Sequence, residues 1–80
     1  MDKFIIVRTN DKGMPEFLRE LHSDDSYTND IGCAMVFETE GEALRERIDD
    51  EFVAVLVFDK EERIIGYEAE HEGYREASYG

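Results

Sequence analysis

The most apolar stretch of the chain is predicted to be a strand that follows a short amphipathic helix. In residues 51–59, EFVAVLVFD, both alternating sets of positions are apolar and rich in β-branched and aromatic side chains. This pattern is typical of a strand that is covered on both faces. Before it, Thr39 and Glu42 have the spacing of a capping box, so we predict that a helix begins near Glu40. The apolar stripe of this helix consists of Ala43, Leu44 and Ile48.

The first part of the chain is predicted to form a hairpin. Lys3 to Thr9 contains a short apolar run and is expected to be a buried strand. Residues 10–13, NDKG, have strong turn chemistry, with a glycine able to take a positive φ. Met14 to His22 fits either a helix, by the spacing of its apolar residues, or the partner strand of the hairpin. We favour the strand, which Pro15 would restrict to a sheet edge.

The middle of the chain is predicted to be mostly loop. Ser23 to Asp30 is polar apart from one tyrosine, and a polar loop is expected there. Thr28 to Phe37 indicates a capped single helical turn with Ile31 and Ala34 directed inward. We expect this turn to continue into a strand at Met35 to Glu38.

A last strand is predicted from Arg63 to Glu72, after a tight connection at residues 59–62. Its inward face is expected to consist of Ile65, Tyr67, Ala69 and His71. Together the elements predict an α+β domain, with an antiparallel-rich sheet of four or five strands and one main helix packed on one face. We expect this single domain over residues 1–73 and a flexible C-terminal tail over residues 74–80.

One segment carries a motif that resembles a known pattern. Between Tyr27 and Leu44 the chain reads Y-T-x-D-I-x-x-A-x-V-F-x-T-x-x-E-A-L. This motif is similar to one that recurs in small acidic bacteriophage and prophage early proteins. The resemblance implies a context of host takeover, in which such proteins include anti-CRISPR proteins, inhibitors of host RNA polymerase and DNA mimics. It implies no role for any individual residue.

The net charge of the chain limits the classes of partner that it is expected to bind. The 21 acidic and 9 basic residues give a formal net charge of −12. Direct nucleic-acid binding is not expected, because such binding depends on cationic side chains that displace counterions. A basic host protein or nucleoprotein complex is the partner that this charge favours. No run approaches the roughly 20 apolar residues of a membrane-spanning helix, so we expect no membrane partner and a cytoplasmic location, in the host cell if a phage encodes the chain.

The last strand and the connection before it are predicted to carry the partner-binding surface. Alternate residues of a strand lie roughly 6.6 Å apart, so three glutamates of this strand would form a row at a spacing similar to that of backbone phosphates. We define the acidic stripe as the predicted partner-binding residues Asp59, Glu61, Glu62, Glu68, Glu70, Glu72 and Tyr74. The alternative is that these charges keep the domain soluble and protect an edge strand from pairing.

A second acidic group is predicted at the end of the helix. It consists of Glu46, Asp49, Asp50 and Glu51. Carboxylates at a helix C-terminus oppose the macrodipole, and such a cost is mild evidence for a functional use.

Metal binding is not expected. A calcium loop that starts at Asp24 would need a glycine at its sixth position and a glutamate at its twelfth. The chain has Asn29 and Met35 at those positions. The two histidines, His22 and His71, have no second ligand at metal-binding spacing.

Catalysis is not expected either. Cys33 stands beside Ala34 in an apolar segment, where a thiol is usually inert. Phosphate-binding loops and nucleophile elbows are missing from the sequence, so we predict no enzyme and no cofactor.

Two functions fit these observations. The first is a small acidic phage-type inhibitor that binds a basic, nucleic-acid-binding surface of a host complex, as anti-CRISPR proteins or DNA mimics do. The second is a non-catalytic homodimerising or assembly module that buries the second apolar face of residues 51–59 or extends its sheet across an edge. In the second case the acidity would serve solubility only.

Overall fold

One antiparallel sheet organises the chain. The structure, a computed structural model, describes residues 2–20, 26–48 and 50–69. Its elements are β1 (Phe4–Thr9), β2 (Pro15–Leu18), β3 (Tyr27–Thr28), a 3-10 turn (Ile31–Cys33), α1 (Glu40–Glu46), β4 (Glu51–Phe58) and β5 (Ile64–Ala69). The strands lie in the order β3-β2-β1-β4-β5. In the described residues the predicted α+β class, with five antiparallel strands and one helix, is confirmed.

The two central strands, β1 and β4, are buried on both faces of the sheet, because successive side chains of a strand point in opposite directions. On one face, the helix-side cluster contains Phe4, Ile6, Leu18, Phe37, Ala43 and Val53. On the other face, the turn-side cluster contains Ile5, Val7, Phe17, Ala54 and Leu56. Ile31 and Ala34, at the 3-10 turn, pack against the turn-side cluster as predicted.

Residues 34–37 carry the chain from one face of the sheet to the other. Ala34 packs against the turn-side cluster, whereas Met35 packs against the helix-side cluster. The predicted strand at Met35 to Glu38 is therefore reduced to a single bridge between Phe37 and Phe4. The prediction was wrong because a segment that crosses the end of a sheet keeps few ladder partners.

The helix α1 begins where the sequence predicts and ends earlier. The Thr39 hydroxyl accepts a hydrogen bond from the Glu42 N–H at 3.1 Å. The Glu42 carboxylate accepts from the N–H of Glu38, one residue before the donor that a capping box would use. Because α1 stops at Glu46, Ile48 lies beyond it and is 59 % exposed. Leu44 is also exposed, so Ala43 is the buried residue of the predicted stripe.

The predicted hairpin of β1 and β2 is confirmed. Gly13 takes a φ of 80°, and its N–H donates to the Asn10 carbonyl at 2.9 Å. The ambiguous segment Met14 to His22 is a strand over Pro15–Leu18. Pro15 does not confine β2 to the sheet edge, since β2 lies between β1 and β3. Pro15 is tolerated because β3 pairs only with the last two residues of β2.

The strand β3 lies inside the predicted polar loop Ser23 to Asp30. Its two residues, Tyr27 and Thr28, pair with Leu18 and Phe17 of β2. The loop prediction was wrong for these two residues because the sheet supplies a partner that local polarity does not reveal.

A bulge changes the faces of β5. Val57 pairs with Gly66 but Phe58 pairs with Ile64, so one residue of β5 is left over between them. Ile64 packs against the turn-side cluster, and Ile65 is 64 % exposed. The predicted inward position of Ile65 was therefore wrong.

Tyr67 of β5 does pack inward, against the turn-side cluster, with its ring 5.4 Å from that of Phe17. His71, the predicted domain boundary at residue 73 and the tail at residues 74–80 lie outside the described residues.

The two-sided burial of β1 leads to a stability prediction. Ile6→Val should lower the free energy of unfolding by about 1 kcal/mol, because it removes a methylene from the helix-side cluster. Ile65→Val makes the same chemical change at an exposed site and should cost less than about 0.5 kcal/mol. Urea unfolding followed by circular dichroism measures both. Equal losses for the two variants would contradict this assignment of the core.

Candidate functional site

The structure describes part of the acidic stripe. Asp59, Glu61, Glu62 and Glu68 lie in described residues, whereas Glu70, Glu72 and Tyr74 do not. The predicted row of three glutamates on the last strand is therefore represented by Glu68 on β5. The other members of the row stay predictions.

At the connection between β4 and β5, the acidic side chains are largely engaged within the connection itself. The Asp59 carboxylate accepts hydrogen bonds from the backbone N–H groups of Glu61 and Arg63, each at 2.9 Å. It also accepts from the Arg63 Nε at 2.9 Å, and the Arg63 Nη2 donates to Glu61 at 2.6 Å. Asp59 thus shapes the turn, as aspartate often does.

These contacts change the electrostatics of the connection. The backbone hydrogen bond from Arg63, followed by the bond from its side chain, lowers the pKa of Asp59. With Lys60 included, residues 59–63 carry a formal surplus of one negative charge. Glu62 is exposed and has a φ of 63°, a left-handed conformation that is uncommon for a residue with a side chain. Of the acidic residues in this connection, Glu62 alone has no ion pair among the described residues.

Glu68 lies on a different surface from the connection. It pairs across the sheet with Val55, and directly paired residues of antiparallel strands project to the same face. Val55 packs against the helix-side cluster, to which Ala43 of α1 belongs. Glu68 therefore projects from the face of the sheet that carries this cluster.

The same face receives acidic residues from α1 and its N-terminal flank. Residues 38–46 contain four glutamates and a single basic residue, Arg45. Glu38 bonds to Lys3 at 2.7 Å, but no ion pair between described residues involves Glu42, Glu46 or Glu68. All three are exposed. We define Glu42, Glu46 and Glu68 as the helix-face acids.

The helix-face acids were not predicted as a set from the sequence. The face of Glu68 depends on the register of β5 against β4. The position of Glu46 depends on where α1 ends. Two features of the sequence indicated an acidic helix in this region. They are the density of glutamates in residues 38–46 and the capping residue Thr39.

The predicted acidic group at the helix end is wrong for Glu51. This residue is 5 % exposed and belongs to β4, after a turn that separates it from α1. Its carboxylate accepts from the Tyr27 hydroxyl and, at 2.9 Å, from the Ile48 N–H. Asp50 is exposed in the turn, and Asp49 lies outside the described residues. Glu51 is therefore not an exposed charge at the end of α1, and it gives no indication of a functional use.

Glu51 belongs to a network of polar contacts that runs from the buried end of β4 to the surface. The Arg8 guanidinium lies 3.4 Å from the centroid of the Tyr27 ring, which is a cation–π contact. On its other side, the Arg8 Nε bonds to Glu16 at 2.9 Å, and Glu16 accepts from the Asn10 amide at 3.3 Å. The network pairs each charge with an opposite or polar group, so it stabilises the end of the sheet.

The other residues that were considered for metal binding or catalysis either have a structural role, are exposed, or lie outside the described residues. Asp30 caps the 3-10 turn by accepting from the Gly32 N–H at 2.9 Å. Cys33 is exposed, in contrast to the apolar setting that was predicted, and its Sγ lies 3.6 Å from an Asp30 carboxylate oxygen.

Within residues 2–20, 26–48 and 50–69, no group of three or more histidine, cysteine or acidic side chains could hold a metal ion. Asp24, together with its neighbour Asp25 and both histidines, falls outside these ranges.

Comparison of the chain with protein-family models, curated proteins and solved structures found no match. The resemblance of the segment from Tyr27 to Leu44 to phage early proteins therefore stays a prediction. In the described part of the chain, no helix combines the length and apolarity that crossing a bilayer requires.

The Tyr27 contact leads to a pH prediction. Burial, followed by the hydrogen bond to Glu51, raises the pKa of Tyr27 from 10.0 to about 12. The protonated phenol thus favours the folded state, and this contribution is present below pH 10 and is lost as pH rises through about 12. Phenolate absorbance should show a late-ionising tyrosine that Tyr27→Phe removes. Tyr67→Phe is the matched control and should keep it, whereas a late phase that survives Tyr27→Phe would contradict the assignment.

Proposed function

We propose that this chain is a small acidic inhibitor of phage type that binds a basic, nucleic-acid-binding surface of a host protein or nucleoprotein complex. It would act as an anti-CRISPR protein or a DNA mimic does, by occupying a cationic surface. The observation that carries the proposal is the set of helix-face acids, which are exposed and without ion pairs among the described residues. The formal charge of −12 supports it.

Long-range attraction gives the proposal its physical basis. Charges of one sign on one face raise the rate of encounter with a surface of opposite sign. At physiological salt the screening length is about 8 Å, so each acid attracts the cations of an approaching surface over roughly that distance. The connection between β4 and β5 contributes less to this attraction, because Arg63 already engages Asp59 and Glu61.

The rest of the acidic stripe remains part of the proposal. Glu70 and Glu72 continue the sequence of β5 and would extend the acidic surface from Glu68, and Tyr74 would supply an aromatic anchor. We further propose that the protein acts in the cytoplasm, of the host cell if a phage encodes it. It would work without catalysis, without a cofactor or a metal, and without direct contact to nucleic acid or membrane.

The homodimer alternative has lost one of its two forms. That form required an uncovered apolar face on β4, yet Val53 and Ala54, which point to opposite faces, are both buried within one chain. What still favours self-association is the exposure of Phe58 and Ile65 beside the bulge of β5. Sedimentation at dilute and concentrated protein distinguishes a monomer from this alternative.

A pair of matched double variants tests the proposed function. Glu46→Lys with Glu68→Lys reverses two of the helix-face acids, and Asp11→Lys with Glu20→Lys reverses two exposed acids that belong neither to this set nor to the acidic stripe. Both double variants change the net charge equally. We expect the first to weaken binding about tenfold more than the second, because it places cations on the docking face.

The measurement uses bacterial proteins that are retained on a heparin column. The immobilised wild-type chain should capture a component of this fraction at low salt, and duplex DNA should displace it. Capture that does not change between low and high salt would overturn the proposal. Equal weakening by the two double variants would show that total charge, rather than the helix-face acids, determines binding.

A further inference from the structure

A groove separates α1 from the segment that precedes it. Its volume is about 320 Å³, at the lower end of the range for ligand pockets. The residues that line it are Met35, Val36, Phe37, Glu38, Glu42, Arg45 and Glu46. A groove of this size is suited to one anchoring side chain and the backbone on either side of it.

The floor of the groove is apolar. Phe37 is buried at its base, and Met35 is half-buried against the helix-side cluster. Val36, between them, is 43 % exposed, which leaves an apolar side chain facing solvent next to the core.

The backbone at the floor is also open to a partner. The N–H groups of Met35 and Phe37 donate to Leu18 and Phe4, at 2.8 and 2.7 Å. In an extended segment, the backbone groups of successive residues point to opposite sides, so those of Val36 point away from the sheet. No hydrogen bond between described residues uses the backbone N–H or C=O of Val36. These groups can therefore accept and donate hydrogen bonds to a second extended segment.

The rim of the groove selects the charge of its occupant. Glu38, Glu42 and Glu46 follow one another at intervals of four residues, which brings them to one side of α1 and its N-terminal flank. Arg45 is the one cation among the lining residues. A second copy of this chain would bring the same surplus of negative charge, so charge complementarity favours a basic occupant.

We propose that the groove binds an extended segment of a partner protein in which one apolar side chain stands between lysine or arginine residues. The apolar side chain covers Val36, the flanking cations lie against Glu42 and Glu46, and the backbone pairs with Val36. This inference rests on the proposed function in that the partner is basic. It adds a point of attachment that depends on shape and apolar contact as well as on charge.

Two labelled peptides test the proposal on the full chain. One is a short polylysine peptide with a single central leucine, and the other has serine in place of that leucine. Fluorescence anisotropy should show the leucine peptide binding about tenfold more tightly, since one apolar side chain is removed from water. Val36→Ser should abolish this preference without changing the affinity for the serine peptide.

Matched controls test whether the preference for the leucine peptide arises at the groove or elsewhere on the surface. Ile65→Ser removes an exposed apolar side chain elsewhere and should keep the preference for leucine. Glu46→Gln should weaken the binding of both peptides. The urea midpoint of each variant is compared with that of the wild type, and Val36→Ala replaces Val36→Ser if the latter unfolds the chain.

Other outcomes overturn the proposal. If both peptides bind equally and salt weakens both, the groove is not an anchor, while the proposed binding to a basic surface stands. If neither peptide binds, the groove assignment fails, and the capture by the helix-face acids is judged by the double variants. If sedimentation shows a dimer that Val36→Ser dissociates, the occupant is a second copy of the chain.

Discussion

The pairing of β1 with β4 is the interaction on which the rest of the structure depends. Their register places Ile6 opposite Val53 and Ile5 opposite Ala54, so each pair contributes to a different face of the sheet. A slip of one residue would exchange the two faces, and the covers supplied by α1 and the 3-10 turn would no longer fit. Because the chain carries a large net charge, this apolar centre must hold the fold against self-repulsion.

The charged groups at the end of β1 and β4, next to this apolar centre, are held by polar and ionic partners. Arg8 and Glu51 are partners in the register of β1 and β4, and Tyr27 contacts both. This arrangement satisfies a buried carboxylate that would otherwise be costly. The acidic side chains without ion pairs among the described residues lie at the surface, and α1 and β5 carry three of them on one face. The proposed function depends on this difference between the paired charges around Glu51 and the unpaired helix-face acids.

Sequence patterns predicted the features that depend on local chemistry. The two-sided run of β4, the Thr39 cap and the turn at Gly13 each follow from residues close in the chain. Features that depend on distant partners were not predictable: Tyr27 becomes a strand residue through β2, and Glu51 is buried through a contact to Tyr27. The candidate site shows the same limit. Asp59 was predicted as a binding residue, yet Arg63, four residues later, forms an ion pair with it. The face of Glu68 is set by the register of β5 against β4, which no short pattern encodes.

The crossing of residues 34–37 has a consequence for how the molecule comes apart. Ile31, before the crossing, packs against the turn-side cluster, whereas Ala43, after it, belongs to the helix-side cluster. The covers of the two faces are therefore joined by a short stretch of chain, and releasing one cover loosens an end of the other. Domains of this size usually unfold in a single concerted step, and this short connection favours such behaviour here.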